Sequence, residues 1–488
     1  MAADLLLNPF ENDYPDHLAY GVADFPESNA GAATCAAFGA LRGEYQAFGS
    51  DDGTVYIWDC LARNVARTIR GAHTDEVTSA SWSKHLRLPK SESNKDDDDI
   101  GYLVTGSLDG TVAVHRMRKC SAFEPEKPCT EALFRFKRPI LSIDACGSGD
   151  GSFRILVTMN DTVNIGLASG AGKGMKLSAK RDFDLHSMWP VLITLSSDAR
   201  KVISADLFDE SVMGKMHSSI VDAGKALVRG RFSPCGNFVV LAVPGNSVLS
   251  IRVSFANGPC PDLAVSGMFA YAGSSKQPRI RKKSKISNDN LSSPDHGEVF
   301  FSGNGKLCVV REHSSRKHLH VLSVSQHEES GELFFKPIQA LQDAVNGTRW
   351  GTCCFSGDGE YLAASSMDEA THTIYVWTAP TKSTHARLAT VLRPSSPNRN
   401  GKGWRILDIS WHPKRPVIAS VAYNGHMLVW AKSYSENWSA FAPNFTPIDF
   451  NEEYEEKEDE FDVMDEEEGS CQNGDDDDDD DGIIDVCG

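Results

Sequence analysis

The sequence predicts an all-β fold, a seven-bladed β-propeller, followed by a disordered acidic C-terminal tail. One observation is a repeated unit across residues 31–431, in which an aromatic residue, a turn, an apolar strand, a second turn and a β-branched run follow one another. A second is a near-constant spacing of 20, 22 and 19 residues between the aromatic residue and a closing Trp, in Phe38–Trp58, Phe355–Trp377 and Trp411–Trp430. Short strands with Gly, Asp and Asn turns, repeated every 40–55 residues or so, are typical of propellers.

The first two units carry the strongest signature. Their segments SDDGTVYIW and SLDGTVAVH resemble WD40 blades. The motif GAH places His73 where such blades carry their Gly-His pair, and Asp109 falls in the tight turn between two inner strands. In WD40 blades these residues bond to a strand Ser or Thr, here Thr105, and to a Trp. Because His115 occupies the Trp position, we expect an architectural, non-catalytic network that is incomplete.

The remaining units complete the predicted propeller over residues 31–435. The third (FRFKRPILSIDA to NIGLA) and the fourth (VLITLSSDARKVISA) are degenerate, and the fifth surrounds Phe232. Residues 1–30 are expected to supply a strand that closes the ring, since an open sheet edge invites aggregation. Residues 256–340 are too long for a loop between blades and contain further strand patterns. They indicate an eighth blade or a decorating hairpin, of which we favour the hairpin.

The charge of the chain is concentrated in its tail. Residues 449–488 hold 21 Asp and Glu against one Lys. Since the whole chain holds 67 Asp and Glu and 49 Lys and Arg, the remainder holds 46 against 48 and is close to neutral. Because the rest of the chain is nearly neutral, its charge does not exclude a contact with nucleic acid. The run Asp475–Asp481 is expected only to keep the tail solvated.

Several classes of protein and site are not predicted. The N-terminus lacks a signal peptide, and no run of about 18 apolar residues could span a membrane, so we expect a soluble intracellular protein. The twelve cysteines are scattered and favour reduced thiols over a metal site or a disulfide framework. No GxSxG, HExxH, Walker A or dinucleotide-binding motif occurs. The sequence therefore predicts a protein that is not an enzyme and that uses no cofactor.

A basic cluster lies within residues 256–340, in a loop rich in Ser, Asn and Pro. Its members are Arg279, Arg281, Lys282, Lys283 and Lys285. Three interpretations stay open: a solvated loop, a nuclear-import signal, or a contact with a phosphate backbone driven by counterion release.

Large apolar side chains persist through the beginning of the tail, which favours docking on another protein over mere solvation. They are Phe441, Phe445, Ile448, Tyr454, Phe461 and Val463. The end of the tail also carries aliphatic residues, Ile483, Ile484 and Val486, after a run of seven aspartates. Composition alone does not decide whether these residues dock on a partner or have no function.

Longer stretches resemble one particular family. They are LQDAVN before Trp350, CCFSGDGEYLAAS from Cys353, DISWHPKRPVIAS from Asp408, ENWSAFAPNF from Glu436 and EYEEKEDEFDV from Glu453. Together they resemble the retinoblastoma-binding protein 5 family, the WD-repeat subunits of COMPASS/MLL-type histone H3 lysine-4 methyltransferase complexes. The basic cluster and the rest of residues 256–340 have no counterpart that we can place in this family.

The resemblance implies a non-catalytic scaffold and activating subunit in the nucleus. Its expected partners are the SET-domain subunit, the SPRY-domain subunit, a second WD-repeat subunit and the nucleosome, with no membrane. Residues 436–452 would activate the SET domain through Phe441, Phe445 and Ile448. The acidic motif within 453–468 would bind the SPRY-domain subunit through Glu453, Tyr454, Glu455, Glu456, Phe461, Asp462 and Val463.

The last segment, 469–488, ends in Ile484, Asp485 and Val486, which resemble the family's short motif for the second WD-repeat subunit. A different function also fits a WD40 propeller. In this alternative the chain is a histone-binding or chaperone-type adaptor whose propeller holds a histone peptide.

Overall fold

The computed structural model describes nineteen stretches of the chain, which together carry the propeller. They are residues 14–22, 31–39, 43–82, 99–118, 130–136, 139–147, 153–159, 191–195, 202–206, 229–243, 247–254, 262–271, 297–311, 316–327, 331–343, 345–369, 371–381, 384–394 and 404–433. All regular elements in these stretches are β-strands. Accordingly, the described residues contain no helix that is long and apolar enough to cross a membrane.

Twenty-eight strands form seven four-stranded antiparallel sheets, which we number as blades in chain order. Blades 1 to 3 comprise β2 (Ala33–Phe38), β3 (Tyr45–Ser50), β4 (Val55–Asp59) and β5 (Asn64–Ile69); β6 (Val77–Trp82), β7 (Asp99–Ser107), β8 (Thr111–Arg118) and β9 (Thr130–Arg135); and β10 (Ile140–Gly147), β11 (Phe153–Met159), β12 (Val191–Leu195) and β13 (Val202–Asp206).

Blades 4 to 6 comprise β14 (Gly230–Phe232), β15 (Phe238–Val243), β16 (Ser247–Ser254) and β17 (Asp262–Ala270); β18 (Glu298–Phe301), β19 (Leu307–Arg311), β20 (Leu319–Gln326) and β21 (Leu333–Leu341); and β22 (Trp350–Phe355), β23 (Tyr361–Ser366), β24 (Ile374–Thr378) and β25 (Arg387–Leu392). Blade 7 joins β26 (Ile406–Trp411), β27 (Val417–Ala422) and β28 (Met427–Ala431) to β1 (His17–Val22).

The blades form a closed ring. The first strand of each blade contacts the first strand of the next, and β26 of blade 7 returns to β2 of blade 1. Blade 7 takes its outer strand from the beginning of the chain, because β1 pairs antiparallel with β28, from His17 opposite Ala431 to Val22 opposite Met427. This is the closure that the sequence predicts for residues 1–30, and the WD40 propeller fold is confirmed.

Three successive blades share one turn between their first two strands. Its sequence is Phe-Ser-x-x-Gly, and its glycines Gly236, Gly305 and Gly359 have φ of 74°, 70° and 80°, a region that favours glycine. In each turn the serine oxygen accepts the N–H of the residue that opens the next strand. The distances are 3.2 Å for Ser233 and Phe238, 3.0 Å for Ser302 and Leu307, and 2.9 Å for Ser356 and Tyr361.

The composition of two blades differs from the sequence prediction. The strands from Ile140 to Met159 in the predicted third unit share one sheet, blade 3, with those of the predicted fourth unit, and Val191–Leu195 pairs with Phe153–Val157. Phe134, at the start of the predicted third unit, belongs to β9 of blade 2. Residues 256–340 are neither a decorating hairpin nor an eighth blade, because they supply β17 of blade 4 and all of blade 5. The hairpin prediction is therefore wrong. Alternation identifies a strand but not the sheet that it joins, and the long connection between Ala270 and Glu298 obscured the repeat.

The hydrophobic core lies between neighbouring blades and not within a single sheet. One cluster joins Ala363 and Val376 of blade 6 to Ile409, Ile418 and Trp430 of blade 7. Similar clusters join blades 1 and 2, 2 and 3, 4 and 5, 5 and 6, and 7 and 1. Since burial of these apolar faces stabilises the ring, each blade depends on its neighbours.

Candidate functional site: the blade 2 network and the central cavity

The interaction sites predicted from the sequence lie outside the described residues. This applies to the basic cluster, Arg279, Arg281, Lys282, Lys283 and Lys285, and to the tail residues, Phe441, Phe445, Ile448, Glu453, Tyr454, Glu455, Glu456, Phe461, Asp462, Val463, Ile484, Asp485 and Val486. The described part ends at Ser433, two residues before the predicted propeller boundary.

The structure does bring together the polar residues that the sequence singled out in blade 2. His73 is 4 % exposed, and its Nε2 lies 2.7 Å from Thr105 Oγ1. Thr105 Oγ1 in turn lies 2.9 Å from His115 Nε2, and His115 Nδ1 lies 2.9 Å from Thr130 Oγ1. The network thus runs from the loop before blade 2 to its outermost strand.

Asp109 holds the other side of His73. Its carboxylate accepts the backbone N–H groups of Thr74 and Thr111, each at 2.7 Å, while Thr111 Oγ1 lies 2.6 Å from His73 Nδ1. The expectation of an incomplete network is therefore wrong: histidine at position 115 replaces the Trp donor and adds a second bond to Thr130. Sequence analysis missed Thr111, which opens β8 two residues after Asp109, and Thr130, which opens β9 opposite His115.

The histidines of this network are poor acid–base groups. Burial lowers the pKa of His73 to about 4 and that of His115 to about 3, so both rings are neutral near pH 7. Both ring nitrogens of each histidine are engaged by threonine hydroxyls. Buried and satisfied in this way, the network supports an architectural role.

A cavity of about 540 Å³ occupies the centre of the ring. It is lined by residues of the first strands, among them Ser79, Asp144, Arg231, Asp408 and Ser410. A β-bulge falls just before Ser79 in blade 2, between Val77 and Ser79, and another before Asp408 in blade 7, between Ile406 and Asp408. Bulges redirect the side chains that follow them, here toward the axis and the neighbouring blade.

The polar side chains of the cavity bind adjacent blades to one another. Five of them accept a backbone N–H from the first strand of the next blade. The pairs are Ser79 with Ile143 (3.1 Å), Ser81 with Ala145 (3.0 Å), Asp144 with Phe232 (2.7 Å), Asp408 with Ala36 (3.1 Å) and Ser410 with Phe38 (3.1 Å). The polar side chains that line the cavity therefore hold adjacent blades of the ring together.

A chain of charged groups continues this fastening through blades 3 to 6. Arg231 lies 4.0 Å from the carboxylate of Asp144 and 3.1 Å from that of Glu298. Arg311 reaches Glu298 at 3.3 Å and donates to the carbonyl of Gly351 at 2.6 Å. Arg229 adds a third guanidinium at 3.5 Å from Glu298.

The pKa values of the carboxyls of Glu298 and Asp408 are shifted in opposite directions, by different causes. Burial would raise the pKa of Glu298, but the three guanidinium groups outweigh it and lower the pKa to about 2. Burial raises the pKa of Asp408 to about 6, because the hydrogen bond from Ala36 only partly offsets the loss of solvent. Glu298 is therefore an ionised structural group, and Asp408 titrates closer to neutrality.

No catalytic constellation emerges from this geometry. The described stretches contain no cluster of three or more His, Cys, Asp or Glu able to hold a metal ion. The burial of Cys308 and Cys353 raises the pKa of Cys353 to about 12 and that of Cys308 further, which suppresses their thiolates. What the propeller offers chemically is a rigid frame with surfaces for binding.

Comparison with known proteins agrees with this architecture. The family model "WD domain, G-beta repeat" matches residues 64–116. The chain is 29 % identical to the retinoblastoma-binding protein 5 homolog of Drosophila melanogaster, over 95 % of this chain and 72 % of that protein. It is 23 % identical to the COMPASS component SWD1 of Saccharomyces cerevisiae, over 95 % of this chain and 88 % of that protein.

A solved structure shares the fold. The β-propeller domain of Cps50 (Swd1) from Myceliophteria thermophila matches with a TM-score of 0.56 at 17 % identity, covering 86 % of this chain and all of that one. The resemblance inferred from the tail and blade motifs is confirmed by relatives that span most of the sequence. Over most of its length, this chain is a homologue of the retinoblastoma-binding protein 5 and Swd1 proteins.

Proposed function

We propose that this chain is a non-catalytic WD-repeat subunit of a Set1/MLL-type histone H3 lysine-4 methyltransferase complex in the nucleus. The observation that carries the proposal is similarity over 95 % of the chain to a protein named as a component of COMPASS. In this role the chain links the SET-domain subunit, the SPRY-domain subunit, a second WD-repeat subunit and the nucleosome, and activates the SET domain.

The use of polar groups inside the propeller supports a scaffold over an enzyme. Ser79, Asp144 and Asp408 accept backbone N–H groups across blade boundaries, and His73 and His115 are held by threonines. Groups committed to fastening blades have little freedom to bind and transform a substrate. A rigid propeller is well suited to hold partners at fixed positions.

The activating element in this proposal is the segment 436–452. Phe441, Phe445 and Ile448 are its proposed apolar anchors, in a stretch that also contains Trp438 and Phe450. Binding to a mobile SET domain in its closed form would raise turnover by shifting a population, without contributing a chemical group.

The acidic segment 453–468 is assigned to the SPRY-domain subunit. Carboxylates such as Glu456 and Asp462 can form charge-assisted hydrogen bonds with a basic groove, while Tyr454 and Phe461 fill apolar pockets. Ile484, Asp485 and Val486 are assigned to the second WD-repeat subunit. The basic cluster from Arg279 to Lys285 serves nucleosomal DNA, nuclear import or both.

The decisive experiment measures methylation of histone H3 by a reconstituted SET-domain and SPRY-domain pair. The full chain is compared with the triple variant Phe441→Ala, Phe445→Ala, Ile448→Ala. We expect the full chain to stimulate the rate strongly and the variant to lose most of that stimulation. A matched control replaces Asp475–Asp481 by Asn, which removes charge from the tail but no anchor, and should stimulate like the natural sequence.

Other outcomes separate the alternatives. Equal stimulation by the full chain and the triple variant would transfer activation to the propeller. Stimulation by neither, together with binding of a histone peptide by the chain alone, would favour the histone-binding adaptor.

A further inference from the structure

A second cavity, of about 360 Å³, lies where blade 7 meets blade 1. We call it the seam groove; it opens between the turn from β4 to β5 and the turn from β26 to β27. Its floor is apolar and includes Phe38 and Val429, which are 8 % and 5 % exposed. At its rim Leu61 is 67 % exposed, one of few large apolar side chains among the described residues to be so accessible.

The rim of the seam groove is basic. Arg63, Lys414 and Arg415 line it, against Glu44 as the one carboxylate among the lining residues. All three cations are exposed, and within the described part of the chain none of them forms an ion pair. The groove therefore presents a net positive charge beside an apolar surface.

Both turns that carry these residues are held rigidly. His412 Nδ1 accepts the N–H groups of Lys414 at 3.0 Å and Arg415 at 2.9 Å, and its ring packs edge-on against Phe38 at 5.3 Å. In the opposite turn, Asp59 Oδ1 accepts the N–H of Leu61 at 2.8 Å. A preformed rim loses little conformational entropy when a ligand binds.

The backbone and the side chain of Arg63 are both held in a defined arrangement at the rim. Its backbone adopts φ of 53°, an uncommon value for a residue other than glycine, and its guanidinium lies 5.1 Å above the ring of Tyr20. A guanidinium over an aromatic ring can still offer its N–H groups to a carboxylate. Tyr20 belongs to β1, so the rim combines residues from both ends of the propeller.

The interior of the groove contains a polar group without a partner. Gln46 lines it, is 1 % exposed, and its amide nitrogen has no hydrogen-bond partner in the described structure. An unsatisfied buried donor is costly, and an acceptor from a ligand would relieve that cost. This second observation points to a ligand independently of the charged rim.

We propose that the seam groove binds an acidic peptide segment of a partner protein that carries one large apolar side chain. The apolar side chain lies over Phe38 and Val429 next to Leu61, and flanking carboxylates pair with Arg63, Lys414 and Arg415. A backbone carbonyl or side-chain amide of the peptide accepts from Gln46. Duplex DNA would also be attracted by the three cations. Its phosphates, however, would make no favourable contact with the apolar floor of the groove, so the geometry favours a peptide.

The test measures binding of the full-length chain to fluorescent peptides by anisotropy. The first peptide contains Glu and Asp around a central Phe, the second has Ala for Phe, and the third has Lys for every acid. We expect saturable binding of the first that weakens with added salt, binding of the second about tenfold weaker, and no binding of the third. Competition by a mixed-sequence DNA duplex is measured in parallel.

Variants locate the site. The pair Lys414→Glu, Arg415→Glu should weaken the first peptide by about tenfold or more, and Leu61→Ser by several-fold. Both changes affect exposed side chains, and a thermal melt verifies folding. The matched control, Lys336→Glu with Arg387→Glu, reverses two exposed cations on the outer strands of blades 5 and 6 and should leave affinity within about twofold.

The proposal is overturned if the control pair weakens binding as much as the seam pair, since the attraction would then be general. It is also overturned if DNA binds through Lys414 and Arg415 while the acidic Phe peptide does not. Because the assay uses the chain alone, its result is independent of the proposed role in a methyltransferase complex.

Discussion

His372 of blade 6 and Ser420 of blade 7 are hydrogen-bonded, with His372 Nε2 2.7 Å from Ser420 Oγ. Ser420 also accepts the indole N–H of Trp430 at 2.9 Å, and the ring of His372 stacks on that indole at 6.0 Å. In blade 2 the corresponding histidine, His73, precedes its own blade, whereas in blade 7 the histidine is supplied by the preceding blade. The network of His372, Ser420 and Trp430 therefore joins blades 6 and 7, whereas the corresponding network of His73 lies within blade 2 and the loop before it.

Replacing Ser420 by Ala should destabilise the propeller by about 1–3 kcal/mol, because it leaves the buried indole N–H of Trp430 without an acceptor. Urea unfolding followed by tryptophan fluorescence would measure the change. Ser325→Ala, at an exposed position of blade 5, is the matched control and should be nearly neutral. An unchanged urea midpoint for Ser420→Ala would mean that the hydrogen bonds of Ser420 with His372 and Trp430 contribute nothing to stability.

Stability should fall as the pH is lowered from about 6.5 toward 4. Burial lowers the pKa of His73, His372 and His412 to about 4 and of His115 to about 3, from an ordinary value of 6.5. Over that interval the unfolded chain binds more protons at these four histidines than the folded chain does. Asp408, whose pKa burial raises to about 6, acts in the opposite sense but is a single group, so acid favours unfolding. Thermal melts across this range would measure the effect.

The variant His115→Gln tests the origin of this dependence. Glutamine keeps the ability to bond with Thr105 and Thr130 but cannot titrate, so the decline in melting temperature should become shallower. His385→Gln changes an exposed histidine and should leave the slope as it was. An identical slope in both variants would exclude His115 as a source.

Glu298→Gln should cost about 2–4 kcal/mol. The carboxylate neutralises Arg229, Arg231 and Arg311, and removal of one partner leaves buried charge uncompensated. The figure lies at the lower end for buried pairs because Arg229 and Arg231 are 23 % and 27 % exposed. Chemical denaturation measures it, with Glu360→Gln on the surface as control; equal midpoints for the two variants would refute a structural role of the charge.

In the tail, Glu456→Ala combined with Phe461→Ala should weaken binding to the SPRY-domain subunit by about tenfold or more, since one change removes a charge-assisted bond and the other an aromatic anchor. Isothermal calorimetry with the full chain measures this. Asp478→Ala with Asp480→Ala, in the aspartate run, is the control. Unchanged affinity of the first pair would show that the acidic motif does not contact that subunit.

Replacing the five residues Arg279, Arg281, Lys282, Lys283 and Lys285 by Ser separates the roles of the basic cluster. If it contacts phosphates, nucleosome affinity should fall and its dependence on salt should become weaker. If it directs import, the chain should lose nuclear accumulation while nucleosome affinity persists. Normal behaviour in both assays would leave only the solvated loop.

The sequence predicts well those features that depend on residues close together in the chain. The blade 2 network joins His73, Thr105 and Asp109 within a single repeat, and the resemblance of this repeat to WD40 blades identified all three. Its extension to Thr130 escaped prediction because it required the register of β8 and β9, where His115 lies opposite Thr130. The tail motifs are local as well, and their roles remain predictions.

Features assembled from distant residues were not predictable in the same way. Arg231 and Glu298 are 67 residues apart and meet only because blades 4 and 5 are adjacent. Blade 5 did have a signal that went unused: FSGNGK, from Phe301, repeats the FSGDGE that starts at Phe355 in blade 6. A repeated turn identifies a blade even where the closing Trp is missing.

The pairing of β1 with β28 also determines when the molecule can become complete during its synthesis. His17 leaves the ribosome 414 residues before Ala431, its partner in the outermost pair of blade 7. At typical translation rates this is a wait of roughly 20–80 s. Throughout that time β1 has no strand to pair with and the apolar face of blade 1 toward blade 7 is uncovered, so a nascent chain must be protected until its last blade arrives. The hydrogen bonds from Ser433 to Asp16, at 2.7 and 2.6 Å, then join the segment before β1 to the segment after β28.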